Sequence, residues 1–258
     1  MNRTTEYRFT AIVMIVHVLI LFAGFNLLAV VFEFPEVLRQ PADYRLALFM
    51  QNSAIVIPTY YLLALTGFTQ ILMAVMLRQL LNERENSILT LATLFGVLTG
   101  LFQVLGFIRW PILIPYIAGA LEQGVPLETI AFVEGAFNHY LGMTVGEHLG
   151  FLAQAVWTTL LGVTLLTTQL FDRRLAWPTI ILGIFTLLMG LEPLSPQLAF
   201  LGELTVPVHA TLFVIEVIFA ISLFRTDAAK PVGMKLGWGT LALSSLFWVL
   251  MVGSTMLG

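Results

Sequence analysis

Charge and cysteine are what this sequence has least of. Only 10% of its 258 residues are charged, where a soluble domain carries about 25%. A water-exposed surface cannot be assembled from this set. Cysteine is absent, which excludes disulfides, thiolate metal sites and iron–sulfur clusters and leaves the redox compartment open. There is no basic tract to hold nucleic acid and no acidic tail, and the formal net charge is a small −3. The nucleophile elbow, the P-loop and the dinucleotide fingerprint are all missing. No lysine stands in an apolar run, so no Schiff base to retinal is expected.

What is present is hydrophobicity: 59% of the residues and a mean hydropathy of +0.93. A membrane helix needs about 20 mostly apolar residues to cover some 30 Å of hydrocarbon. Seven stretches qualify: 9–32, 53–77, 88–108, 140–171, 175–191, 207–224 and 236–257. The first follows Arg3 and Arg8 like a signal peptide. It is longer than the roughly 7–15 apolar residues of one and has no small-residue cleavage site, so it reads as a retained helix. The fold expected is therefore all-α, a polytopic transmembrane helix bundle forming one domain over 1–258.

Alternating the connections groups Arg3, Arg8, Arg78, Arg84, Arg173, Arg174, Arg225, Lys230 and Lys235 on one side, against Arg39 and Arg45 on the other. By the positive-inside rule the first group is cytoplasmic. This predicts a multi-pass protein of a bacterial-type cytoplasmic (inner) membrane, with a cytoplasmic N-terminus and an external C-terminus. The longest connection, 110–139, is external. It opens with Pro111 and Pro115, and its later apolar residues recur at helical spacing, which predicts short interfacial helices capping the outer mouth.

Polar residues inside the spans fall on stripes. Asn52, Thr59 and Thr66 recur every seven residues with Gln70 four further on, and Thr99, Gln103 and Trp110 share a face. Glu147, Gln154 and Thr158 form a third stripe, and His209 with Glu216 a fourth. With no water in the hydrocarbon such groups turn inward, so the stripes should face one another. Inter-helix hydrogen bonding, worth about 0.6 kcal/mol per contact, explains the Thr, Asn and Gln members. Glu216 is different, because it lies too deep to snorkel and needs a proton, a cation or water. His17 is a partner for it by depth.

The densest polar cluster is Asn138, His139, Tyr140, Gly142, Gly146, Glu147, His148 and Gly150. The three glycines form a doubled G-x-x-x-G and suit close helix approach. Arg109 shares the depth of Glu147 and is its natural counter-ion, unless it serves with Trp110 as an interfacial anchor. His139 and His209 could provide the two axial imidazoles of a haem. His139 or His148 with His209 and a carboxylate could hold zinc or copper, although no H-x-x-x-H spacing supports it.

The stretches GFIRWPILIPYIA, HYLGMTVGEHLGFL and LLTTQLFDRRLAWPTIILGI resemble bacterial integral membrane proteins grouped as DUF4386, over roughly residues 95–190. The resemblance implies the helical membrane architecture and a bacterial origin, and it implies no activity. Three classes of function stay open. In the first, a small molecule, ion or proton is bound or passed by Arg109, His139, Glu147, His148, Gln154, His209 and Glu216, with Gln103 and Asn52. In the second, histidines ligate haem, copper or zinc in a membrane enzyme. In the third, a non-catalytic sensor or assembly partner uses its polar stripes only for packing. The expected partner is the lipid bilayer, with a small molecule or ion beside it and no nucleic acid.

Overall fold

A computed structural model describes residues 2–81 and 86–226 of the chain, and the expected run 236–257 lies outside the described residues. Within them, six helical stretches are long and apolar enough to cross a membrane. Helix α1 (Arg3–Phe32) begins at Asn2, whose side chain caps the Thr4 amide. It leads through a 3-10 turn, Glu36–Arg39, into α2 (Ala42–Leu81). Its 40 residues run about 60 Å at 1.5 Å per residue, twice the hydrocarbon thickness. The expected span 53–77 is therefore only the membrane portion of a longer rod.

Helix α3 (Ser87–Glu122) corrects the reading of the long connection. A proline removes the N–H that would bond the carbonyl four residues back, so Pro111 and Pro115 were expected to end the helix. It continues instead to Glu122, about three turns beyond Pro111, because Ile114, Ile117 and Ala118 bury their side chains in the core. What remains of the loop is a short turn at 123–126, with Gly124 at a φ of 90°. The short helix α4 (Leu127–Phe137) is not a detached cap, for it runs into a π segment, Asn138–Leu149, and then α5 (Gly150–Leu165). Thr144 Oγ1 donates to the carbonyl of His139, five residues back, at 3.0 Å, matching the wider π spacing.

The turn Arg173–Leu175, capped by Asp172, opens α6 (Ala176–Met189), and two 3-10 stretches (Glu192–Leu194, Pro196–Leu204) lead to α7 (Thr205–Arg225). The alternation leaves Arg3, Arg78, Arg173, Arg174 and Arg225 at one end, here the basic end. Arg39, Glu192 and Glu203 lie at the other, the mouth end.

Large apolar side chains such as Leu62, Phe68, Leu94 and Ile181 stand exposed around the outside. This is the reverse of a soluble surface and suits a bilayer. Inside, one apolar cluster joins Met14, Met73, Leu77, Trp157, Leu161 and Phe219. A second joins Phe32, Phe49, Tyr60, Trp110, Ile114 and Phe213 nearer the mouth end.

Candidate functional site

Helices α1, α2, α3, α5 and α7, the π segment and the mouth-end connections enclose a cavity of about 430 Å³. Helix α6, whose span carried no polar stripe, contributes nothing to the lining. The cavity begins among exposed residues, Glu36, Arg39 and Glu203, and ends among interior ones, His17, Gln70 and Glu216.

At the mouth, Arg39 bridges two carboxylates from different elements. Its Nη2 lies 2.6 Å from Glu147 and 2.9 Å from Glu192, and its Nε reaches Glu192 at 2.9 Å. Partial burial opposes the charge of Arg39, but the carboxylates of Glu192 and Glu147 more than offset it and raise its pKa above the ordinary guanidinium value. The expected Arg109–Glu147 pair is thereby corrected: the cation hydrogen-bonded to Glu147 is Arg39.

One layer down, Arg109 is 5% exposed. It donates through Nη1 to the Gly106 carbonyl and through Nη2 to Asn138 Oδ1 at 3.1 Å. Its guanidinium lies 5.3 Å from the centre of the Trp110 ring, which in turn stacks on Tyr60 at 5.1 Å. Gly142 makes room for this group, since a methyl there would sit 2.6 Å from Arg109 Nη2. Gly146 lets the π segment approach α3, since a methyl on it would stand 3.0 Å from the Gly106 Cα. Gly150 has only ordinary contact with Phe102.

Deeper still, Gln103 donates to Thr66 Oγ1 at 2.6 Å. The Nδ1 of His209 faces the Thr205 carbonyl at 2.8 Å. A carbonyl only accepts, so Nδ1 carries the proton and Nε2 of the neutral ring is an acceptor. His17 Nδ1 lies 2.7 Å from Thr69 Oγ1, whose own proton goes to the Thr66 carbonyl. The same tautomer follows for His17. At the floor stand Gln70 and Glu216.

Among the described residues, five buried side-chain polar atoms lack a hydrogen-bond partner: Tyr60 OH, Gln70 Nε2, Arg109 Nε, Thr158 Oγ1 and Glu216 Oε2. All but the Thr158 atom belong to residues lining the cavity. Buried polar atoms are normally paired, so the gathering of four of the five on residues around the cavity sets this region apart from the rest of the bundle.

The structure brings Gln103, Arg109 and Glu147 to the cavity together with Gln154, His209 and Glu216, and the three glycines line it as well. It leaves out three expected residues. Asn52 turns back to the Leu48 carbonyl at 3.2 Å, His139 is exposed on the surface, and His148 is occupied by the Gly190 carbonyl at 2.5 Å. His139, His148 and His209 therefore do not converge. Among the described residues no group of three His, Asp or Glu side chains is placed to hold a metal.

Sequence reasoning missed Arg39, Glu192 and Tyr60 at the site and the buried Arg45–Glu134 pair beside it. The available signal was that Arg39 and Arg45 are the only cations in an otherwise acidic set of connections.

Fold and site together define a multi-helix apolar bundle, suited to crossing a membrane, around a largely apolar cavity with a few polar groups that opens at one end. The chain belongs to the family described as "Domain of unknown function (DUF4386)", whose sequence profile matches residues 10–225. The match reaches well beyond the stretch that carried the resemblance. No curated protein and no solved structure matches the chain.

Proposed function

We propose that this protein is a membrane-embedded binding protein that admits a small amphipathic molecule into its bundle from the mouth end. The observation that carries the reading is that four of the five unpartnered buried polar atoms among the described residues belong to side chains that line the cavity. Leaving such atoms dry and unpaired costs about 1–3 kcal/mol each, and a guest carrying polar groups removes that cost. The volume of about 430 Å³ falls within the roughly 300–1,000 Å³ of small-molecule sites, and the mix of apolar wall with a few convergent polar groups is typical of them. Below Glu216 the apolar cluster of Met73, Leu77 and Leu223 closes the bundle, so the cavity has a floor toward the basic end. In a cytoplasmic membrane with the basic end inside, the mouth faces outward.

The absence of cysteine makes single-cysteine labelling a background-free test. Gln154→Cys on the cavity wall should react with a membrane-impermeant maleimide added to intact cells, while Leu101→Cys on the apolar exterior should not. Gln40→Cys at the mouth end serves as the positive control. If Gln154→Cys stays unmodified while Gln40→Cys reacts fully, the cavity is not open to solvent and the reading falls.

A further inference from the structure

We propose that the guest is an organic cation, a protonated amine on an apolar, ring-sized body, with Glu216 as its counter-charge at the cavity floor. This rests on the binding reading above and adds the chemical class of the ligand. Three independent observations point the same way.

The first is the charge of the lining. Five carboxyl groups, those of Glu36, Glu147, Glu192, Glu203 and Glu216, face two guanidinium groups, Arg39 and Arg109. Arg39 is already shared between Glu147 and Glu192, and Arg109 is held by a carbonyl and an amide oxygen. A cleft walled by low-dielectric side chains and lined by an excess of one sign concentrates ions of the other. Cations are drawn in and anions are held back.

The second is the chemistry of the floor. Glu216 Oε2 has no partner among the described residues, and no Lys or Arg lines the cavity at that depth. His17 and His209 have committed their Nδ1 protons to Thr69 and to the Thr205 carbonyl, which leaves acceptor nitrogens in the neutral rings. A floor rich in acceptors and holding one carboxyl calls for a guest that donates N–H bonds and carries positive charge. Gln70 Nε2, 3% exposed as a residue and also unpartnered, is left to serve an oxygen on the same guest.

The third is the wall. Phe25, Phe107, Phe151 and Phe213 line the passage between mouth and floor. Aromatic faces attract a desolvated ammonium while rewarding an apolar body. An anion of the same shape gains the second contribution and loses the first.

The test uses Gln154→Cys in the full-length purified protein, with N-ethylmaleimide as the label and three matched probes as protectants. The probes are N,N-dimethylbenzylamine (protonated at neutral pH), benzyl alcohol and benzoate. The amine should slow labelling at a concentration about tenfold lower than either of the others needs, a factor expected for a hydrogen bond to a charged group. In a Glu216→Gln background the advantage of the amine should vanish, and in Glu216→Asp, which keeps the charge, part of it should return. Equal protection by all three probes, preference for benzoate, or no protection by the amine overturns the cation assignment and leaves the binding reading standing. An amine advantage that survives Glu216→Gln overturns the role of Glu216. Should that variant fail to fold, the Glu216→Asp protein and the wild-type ranking of the three probes decide. A Gln154→Cys thiol that never reacts removes the binding reading itself.

Discussion

Arg45 on α2 and Glu134 on α4 form a buried ion pair in this bundle, and Glu216 on α7 places another ionisable side chain in its interior, yet the protein treats them in opposite ways. The Arg45 guanidinium meets Glu134 through two parallel hydrogen bonds, from Nε at 3.0 Å and from Nη2, and gives a third to the Gln40 carbonyl. Both side chains are almost fully enclosed, at 6% and 1% exposure, and neither has an unpartnered buried atom. Among the described residues Glu216 has no cationic partner and one unpartnered oxygen, and it lines a cavity instead of a seam. A closed pair of this kind fixes how α4 lies against α2. Through its unpartnered oxygen Glu216 ties α7 to no other described element. Satisfaction of hydrogen bonds, more than burial, separates the two groups here.

The contrast can be broken by substitution. The largest effect is expected at the closed pair. Arg45→Leu or Glu134→Leu strands a buried charge and should cost about 3–5 kcal/mol in detergent unfolding, with the double variant losing much less than the sum. Simple additivity of the two singles would show that the pair does not act as a unit. Next comes Gly142→Ala. Its methyl would stand 2.6 Å from Arg109 Nη2, and pushing the guanidinium aside should cost about 1–3 kcal/mol as overpacking does, read in the same assay. Glu216→Gln should change stability by less than about 1 kcal/mol, since it keeps the side chain's shape and breaks no ion pair among the described residues. A loss from Glu216→Gln as large as that from Glu134→Gln would erase the distinction between the two regions. The smallest effect is expected for Arg39→Gln at the mouth. Its side chain is 36% exposed, and exposed pairs contribute about 0–1 kcal/mol. That contribution should shrink further as salt is raised toward 1 M, where screening is complete within a few ångströms.

Much of the site was legible in the pattern of the chain. Gln103, Gln154, His209 and Glu216 were expected on inward stripes, and all four line the cavity. The failures cluster at Asn138–Leu149. There His139 was expected among the inward polar residues, whereas the π segment turns by a different angle per residue than an α-helix and His139 stands exposed. Nothing in NHYLGMTVGEHL announces a π segment, because its wide turns are stabilised by what packs against them, here Gly106 of α3 against Gly146. The prolines of α3 misled for the same reason. Their local cost is fixed, but the burial of Ile114 and Ile117 that outweighs it is not local.

By itself the sequence determined that the chain is a bundle of long apolar helices and which helix faces are polar. Transfer into hydrocarbon is a sum over neighbouring residues, and facing follows from their spacing, so both are written along the chain. Tertiary structure alone decided which charges are spent on one another. Arg39, from a short 3-10 turn, reaches Glu147 and Glu192, which lie more than a hundred residues away. Arg45 closes on Glu134, and Glu216 is left open. Coulomb attraction and hydrogen bonding depend on distances of a few ångströms between groups far apart in the chain, and only the packing of the helices sets those distances.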